Sequence, residues 1–142
     1  MNLAELVTDL YSNLIFLIKK IAKKNNLSPS QFFCIYAIPS DGISQSELAK
    51  ILCLDISTLS RNLDKLIIKQ FVKKKSPTSD KRKQQIFLTE LGNEIYFSIL
   101  NDLNKSISRL YNSSYESDNI DSIINSISQF NWLLLKNRYD NE

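Results

Sequence analysis

The chain has 142 residues, 43% of them apolar, with 18 basic against 15 acidic side chains, a net charge of +3 and no histidine. That length suits one compact domain, and with only two Gly and three Pro there are too few turn-forming positions for a β-sandwich, a barrel or a disordered linker. Without histidine the usual general base and the commonest metal ligand are missing, which speaks against an enzyme and against a bound metal or other cofactor.

From Leu3 to Ala22 the apolar positions Leu3, Leu6, Val7, Leu10, Leu14, Leu17, Ile18 and Ile21 recur every three or four residues, the helical period. Lys19, Lys20, Lys23 and Lys24 crowd the end of this first helix, where cations meet the negative end of the helix dipole, and Asn25-Asn26 closes it. Ser28-Pro29 supplies an N-cap and a first-turn proline for a short helix through Phe32, Phe33, Tyr36 and Ala37, which Pro39 stops. Asp41-Gly42 makes a turn. Ser44 and Glu47 then form a capping box leading into Leu48, Ala49, Ile51 and Leu52, a third helix.

Asp55 can cap a fourth helix, with Leu59, Leu63, Leu66 and Ile67 inward and Ser57, Thr58, Arg61 and Lys65 on the opposite face. After Gln70 the pattern becomes Phe71-Val72-Lys73-Lys74-Lys75, eight polar residues, then Gln84-Gln85-Ile86-Phe87-Leu88, which reads as a two-stranded hairpin. Its loop exceeds the usual two to five residues and carries Lys81, Arg82 and Lys83, as if built to reach a partner. Thr89 caps a further helix striped by Leu91, Ile95, Ile99, Leu103, Ile107 and Leu110, Asn112-Ser113-Ser114 breaks it, and a last helix carries Ile120, Ile123, Ile124, Ile127, Phe130, Leu133 and Leu134.

Charge is uneven along this plan. Residues 61–83 hold nine Lys or Arg against Asp64 and Asp80, a net of +7, which leaves −4 on the rest. Clustered cations on an otherwise acidic chain are the footprint of a phosphate contact, although a merely solvated basic surface has the same composition. Cys34 and Cys53 lack CxxC spacing and fit a reduced, cytoplasmic protein. No apolar run approaches the roughly 18 residues that span a bilayer, and Glu5 and Asp9 precede the most apolar N-terminal stretch where a secretory signal would want Lys or Arg. No membrane association is expected.

Two short helices joined by a tight turn, the second polar on its outer face and followed by a basic hairpin, describe a winged helix-turn-helix. Leu48-Ala49-Lys50-Ile51-Leu52-Cys53-Leu54-Asp55-Ile56-Ser57-Thr58-Leu59-Ser60-Arg61, then Asp80-Lys81-Arg82 and Leu88-Thr89-Glu90-Leu91-Gly92, together closely resemble the MarR family of bacterial transcription regulators. The expected fold class is therefore mainly α, a three-helix core plus β-hairpin wing with flanking N- and C-terminal dimerisation helices. One domain of residues 1–142 would contain a DNA-binding region at 28–88 and a helical dimerisation region at 1–27 and 89–142.

The resemblance implies a homodimer on a palindromic operator in double-stranded DNA, acting as a ligand-responsive repressor. The long apolar stripes at the chain ends agree, since they offer more surface than a small winged module covers, with Trp132 and Tyr139 in or beside the seam. If the fourth helix enters the major groove, Ser57, Thr58 and Arg61 reach base edges, while Lys65, Lys73, Lys74 and Lys75 suit phosphates. Arg82 matches the family's wing arginine, which would enter the minor groove between Lys81 and Lys83, and Asp80, in the matching position, would brace neighbouring basic side chains.

Relatives often bind small aromatic ligands in a crevice beside the dimer helices, which Tyr11, Phe16, Phe32 and Tyr36 could line, although core packing explains those residues equally well. Some relatives sense oxidants through a cysteine in the first helix. This chain has none there, so that mode does not carry over. The alternative function is a winged-helix module that docks protein and never touches DNA.

Overall fold

The computed structural model describes residues 2–76, 84–112 and 119–140. In chain order these form α1 (Leu3–Lys24), α2 (Pro29–Ala37), β1 (Ile43–Ser44), α3 (Gln45–Leu52), α4 (Ile56–Ile68), β2 (Val72–Lys75), β3 (Gln85–Leu88), α5 (Glu90–Asn112) and α6 (Ile120–Asp140). The arrangement is the mainly helical winged helix-turn-helix expected from the sequence, with one strand more. Ile43 and Ser44 pair antiparallel with Ile86 and Gln85, giving a three-stranded sheet in the order β1-β3-β2.

The helix boundaries follow their caps. Asn2, Ser28 and Ser44 each close a reciprocal capping box with the side chain three residues on, respectively Glu5, Gln31 and Glu47, so two orphan donors are satisfied at each helix start. α1 runs one half-turn beyond the periodic apolar stretch and ends where Asn26 turns left-handed at φ 56°, letting the Leu27 N–H bond back to the Ala22 carbonyl at 2.8 Å.

The chain divides into two compact units, residues 1–103 and residues 104–142, with α5 running from the first into the second. In the first unit, Ile21 and Ala22 from the end of α1, Phe32 and Ile35 from α2, Leu48 from α3, Leu59, Leu63 and Leu66 from α4, Ile86 from β3 and Ile99 from α5 share one buried core. Polar ties set the helices around it. Asn62 Nδ2 on α4 donates to Ser30 Oγ on α2 at 2.8 Å, Lys24 pairs with Asp102 at 2.8 Å, and Lys69 Nζ donates to the Asn26 carbonyl and to Gln31 Oε1.

Much of the N-terminal stripe stays outside this core. Leu3, Leu6, Leu10 and Leu14 are exposed, because only the last turns of α1 reach α2. In the second unit no residue of α6 is buried. Ile124, Ile127, Leu133 and Leu134 are each more than half exposed, as are Trp132 and Tyr139; Lys136 Nζ lies 5.6 Å from the Trp132 ring centroid, a cation–π distance. No helix among the described residues is long and apolar enough to cross a membrane.

The sheet meets α5 at a position only glycine fits. Thr89, the residue before α5, donates its N–H to the Phe71 carbonyl at 3.0 Å and its hydroxyl to the Gln70 carbonyl at 2.5 Å. It also accepts the Gly92 N–H at 3.0 Å, which is the cap the sequence indicates. This brings the first turn of α5 so close to Phe71 that a Cβ on Gly92 would collide with that same carbonyl. Since the obstacle is backbone engaged in a hydrogen bond, Gly92→Ala is expected to cost about 2 to 3 kcal/mol. Urea denaturation checks this, and a loss below about 0.5 kcal/mol would show that the strand–helix junction yields.

Candidate nucleic-acid interface

The helix-turn-helix is built from α3, the three-residue turn Cys53-Leu54-Asp55 and α4. Cys53 stands at the end of α3 in the left-handed region, φ 52° and ψ 40°, with its N–H directed to the Ala49 and Lys50 carbonyls. The Leu54 N–H follows onto Ala49 at 3.0 Å. Such a C-terminal motif commonly uses Gly; here an exposed Cys occupies it. Cys34, by contrast, is buried in α2, and burial pushes its thiol up to about 12, which keeps it in the unreactive protonated form.

α4 is fixed in rotation by its buried side. Leu59, Leu63 and Leu66 are each completely buried, so the residues at the complementary helical positions, Ser57, Arg61, Asp64, Lys65 and Ile68, are exposed, while Thr58 is half-buried at the edge. Asp64 therefore shares the outward stripe with Arg61 and Lys65, an acidic side chain within the polar face that the list of cations alone leaves out.

At the start of α4 one carboxylate organises three donors. Asp55 Oδ1 accepts from the Thr58 N–H at 2.8 Å and from Ser57 Oγ at 2.5 Å, and Oδ2 accepts from Thr58 Oγ1 at 2.7 Å. Arg61 Nη2 in turn donates to Thr58 Oγ1 at 3.3 Å. The Ser57 hydroxyl, then the Thr58 hydroxyl and the Thr58 N–H, hold the Asp55 carboxyl well below the usual carboxylate range. Glu47 at the start of α3 is shifted the same way by its bonds to Ser44.

The basic strand is not uniform. In β2 Val72 is buried, Lys73 exposed, Lys74 half-buried and Lys75 exposed. The pleat puts Lys73 and Lys75 on one face and Lys74 on the other with Val72, so the three lysines do not act alike. Within the basic segment, Lys69 is engaged internally, as described above. Asp80, Lys81, Arg82 and Lys83 lie outside the described residues.

The four aromatic residues suggested for a ligand crevice also separate. Phe32 is buried at 2% exposure in the core, edge-on to Phe33, whereas Tyr11 and Phe16 are exposed on α1. Tyr36 lines an open cleft of about 370 Å³ with Pro39, Ser40, Leu88, Asn93, Tyr96 and Phe97. Tyr36 and Tyr96 stack with centroids 6.4 Å apart, and Phe97 stands edge-on to Tyr96 at 5.5 Å. The sequence reading missed Tyr96 and Phe97; their adjacency on a helix whose core stripe is Ile95, Ile99 and Leu103 already requires that one of them leave the core.

Residues 27–83 match the sequence model of the MarR family. Among solved structures, the fold is similar to MarR from Staphylococcus aureus in complex with salicylate and kanamycin, at a TM-score of 0.77 and 22% identity over 91% of this chain and 87% of that one. It is similar to wild-type apo MarR from E. coli at a TM-score of 0.78 and 21% identity over 92% and 97%. A third similar fold is the transcriptional regulator SlyA, at 0.77 and 16% identity over the whole of both chains. Comparison with curated proteins by sequence finds no match.

The depressed Asp55 carboxyl has a measurable consequence. A group with a lowered folded-state pKa contributes stability that is complete above the unfolded value, about 3.9 for Asp, and is lost as pH falls through the folded one. Asp55→Ala is therefore expected to lower the melting temperature at neutral pH by an amount that shrinks steadily below about pH 4. Paired thermal melts across that range check it, and an undiminished difference in strong acid would mean that the carboxylate's charge is not what holds the turn.

Proposed function

We propose that this chain, whose residues 27–83 match the MarR family model, is a sequence-specific DNA-binding transcription regulator of that family. It would act as a homodimer on a palindromic operator, as a repressor released by a small aromatic ligand. The observation that carries this reading is the outward face of α4. Its three leucines are wholly buried, so Ser57 and Arg61 are held exposed and Thr58 half-buried in the first turns of the helix, and the sequence segment 61–83 that begins at Arg61 has a net charge of +7.

A helix presented in this way fits the major groove, with Arg61 donating to guanine O6 and N7 and Ser57 and Thr58 meeting neighbouring base edges. Lys65, Lys73, Lys75 and Lys74 would contribute affinity through phosphates. Arg82 would enter the minor groove, flanked by Lys81 and Lys83 and braced by Asp80, as the family resemblance implies.

The proposed dimer draws its support from the exposed apolar positions on α1 and, separately, on α6, since apolar side chains left out of a core in such number mark association faces. For the ligand, the support is the aromatic cleft beside Tyr36 together with the salicylate in the S. aureus MarR structure. Cytoplasmic location and the absence of catalysis belong to the same reading.

Fluorescence titration against a duplex selected from genomic fragments, beside a random duplex, tests the proposal. Arg61→Ala is expected to cost about 1 to 3 kcal/mol on the selected site and much less on random DNA. Equal losses on both would remove Arg61 from base reading, and a wild-type protein with no preferred fragment would favour a protein-docking module instead.

A further inference from the structure

The bonds around Asp55 restrict what the neighbouring hydroxyls can recognise, an inference that rests on the DNA-reading role proposed for α4. A hydroxyl has one hydrogen to donate. Ser57 Oγ lies 2.5 Å from Asp55 Oδ1, and Thr58 Oγ1 lies 2.7 Å from Asp55 Oδ2. An ionised carboxylate has no hydrogen of its own, so in both contacts the hydroxyl is the donor. Each hydrogen is thereby committed inward, and only lone pairs are left to face a partner.

Thr58 Oγ1 commits one of those lone pairs to Arg61 Nη2 at 3.3 Å. Ser57, exposed at the start of the helix, keeps its own. Turning its hydrogen outward would strip the carboxylate of a charge-assisted bond, which is stronger than an ordinary one.

We propose that Asp55 is a positioning residue that makes Ser57 a pure hydrogen-bond acceptor toward DNA, so that this point of α4 selects a base bearing an amino group, adenine through N6 or cytosine through N4. Phosphate oxygens, guanine O6 and N7 and thymine O4 are themselves acceptors, and each would meet Ser57 lone pair to lone pair. Ser57 is thus a specificity-determining residue and not a phosphate anchor, and the recognition helix combines opposite polarities. Arg61 offers only donors, suited to guanine, while Ser57 offers only acceptors.

Selection of bound duplexes from a randomised pool, run with the full chain as wild type, Asp55→Ala and Ser57→Ala, tests this. Thermal melts confirm that each variant is folded. The wild type is expected to enrich adenine or cytosine about three- to tenfold at one position of each half-site, the scale of a single hydrogen bond, and Ser57→Ala to level that position while the rest of the motif survives. Asp55→Ala removes the acceptor that holds the Ser57 hydrogen, which is then free to donate outward, so guanine or thymine should be admitted there.

An unchanged motif with Asp55→Ala would overturn the inference and leave the DNA-reading role standing. So would a Ser57-dependent position that prefers guanine or thymine, a result readable from wild type and Ser57→Ala alone should Asp55→Ala not fold. A wild-type pool with no motif at all would overturn both.

Discussion

The burial of Leu59, Leu63 and Leu66 is the constraint on which the rest depends. Three side chains at helical spacing, each wholly removed from water, fix the rotation of α4 about its own axis. A turn of the helix by one residue position would expose leucine and carry Asp64 in one sense, or Lys65 in the other, toward an apolar core with no partner waiting. The polar face points outward because the other face cannot.

Around that fixed helix the chain uses short-range polar contacts to set position along the axis. Asn62 to Ser30 and Lys69 to Asn26 and Gln31 tie the middle of α4 and the residue that follows it to the α1–α2 region, and Asp55 defines where α4 begins. The same carboxylate that caps the helix also orders Ser57 and Thr58, and Thr58 in turn holds the Arg61 guanidinium. Folding and display are thus coupled through one side chain: the groups proposed to meet DNA are already arranged in the free chain, which would reduce the ordering cost of recognition.

Much of this was legible in the sequence, for physical reasons. Period-3.6 stripes and capping boxes are local, so α1 to α6 and the Ser28, Ser44, Asp55 and Thr89 starts could be read from neighbours within four residues. The strand β1 could not. Ile43-Ser44 is too short to show alternation, and it becomes a strand only by pairing with Ile86 and Gln85, far along the chain. The different environments of Lys73, Lys74 and Lys75 likewise arise from the pleat and the pairing of β2 with β3.

For the aromatics, composition gave no order. Phe32 entered the core and Tyr36 a cleft because α2 packs between several neighbours, and Tyr96 and Phe97 reach that cleft from a helix more than fifty residues away. Asp55 was visible as a cap but its hold on two hydroxyls was not, because that depends on side-chain rotamers.

The central claim is that the fixed face of α4 docks into a DNA major groove, twice per dimer. Hydroxyl-radical and methylation-protection footprinting of the full chain on a genomic fragment it selects would test this most directly. The account expects two protected major-groove segments related by a two-fold axis and separated by one helical turn, about 34 Å, or a multiple of it. Uniform weak protection along the duplex, or one protected patch without symmetry, would contradict it.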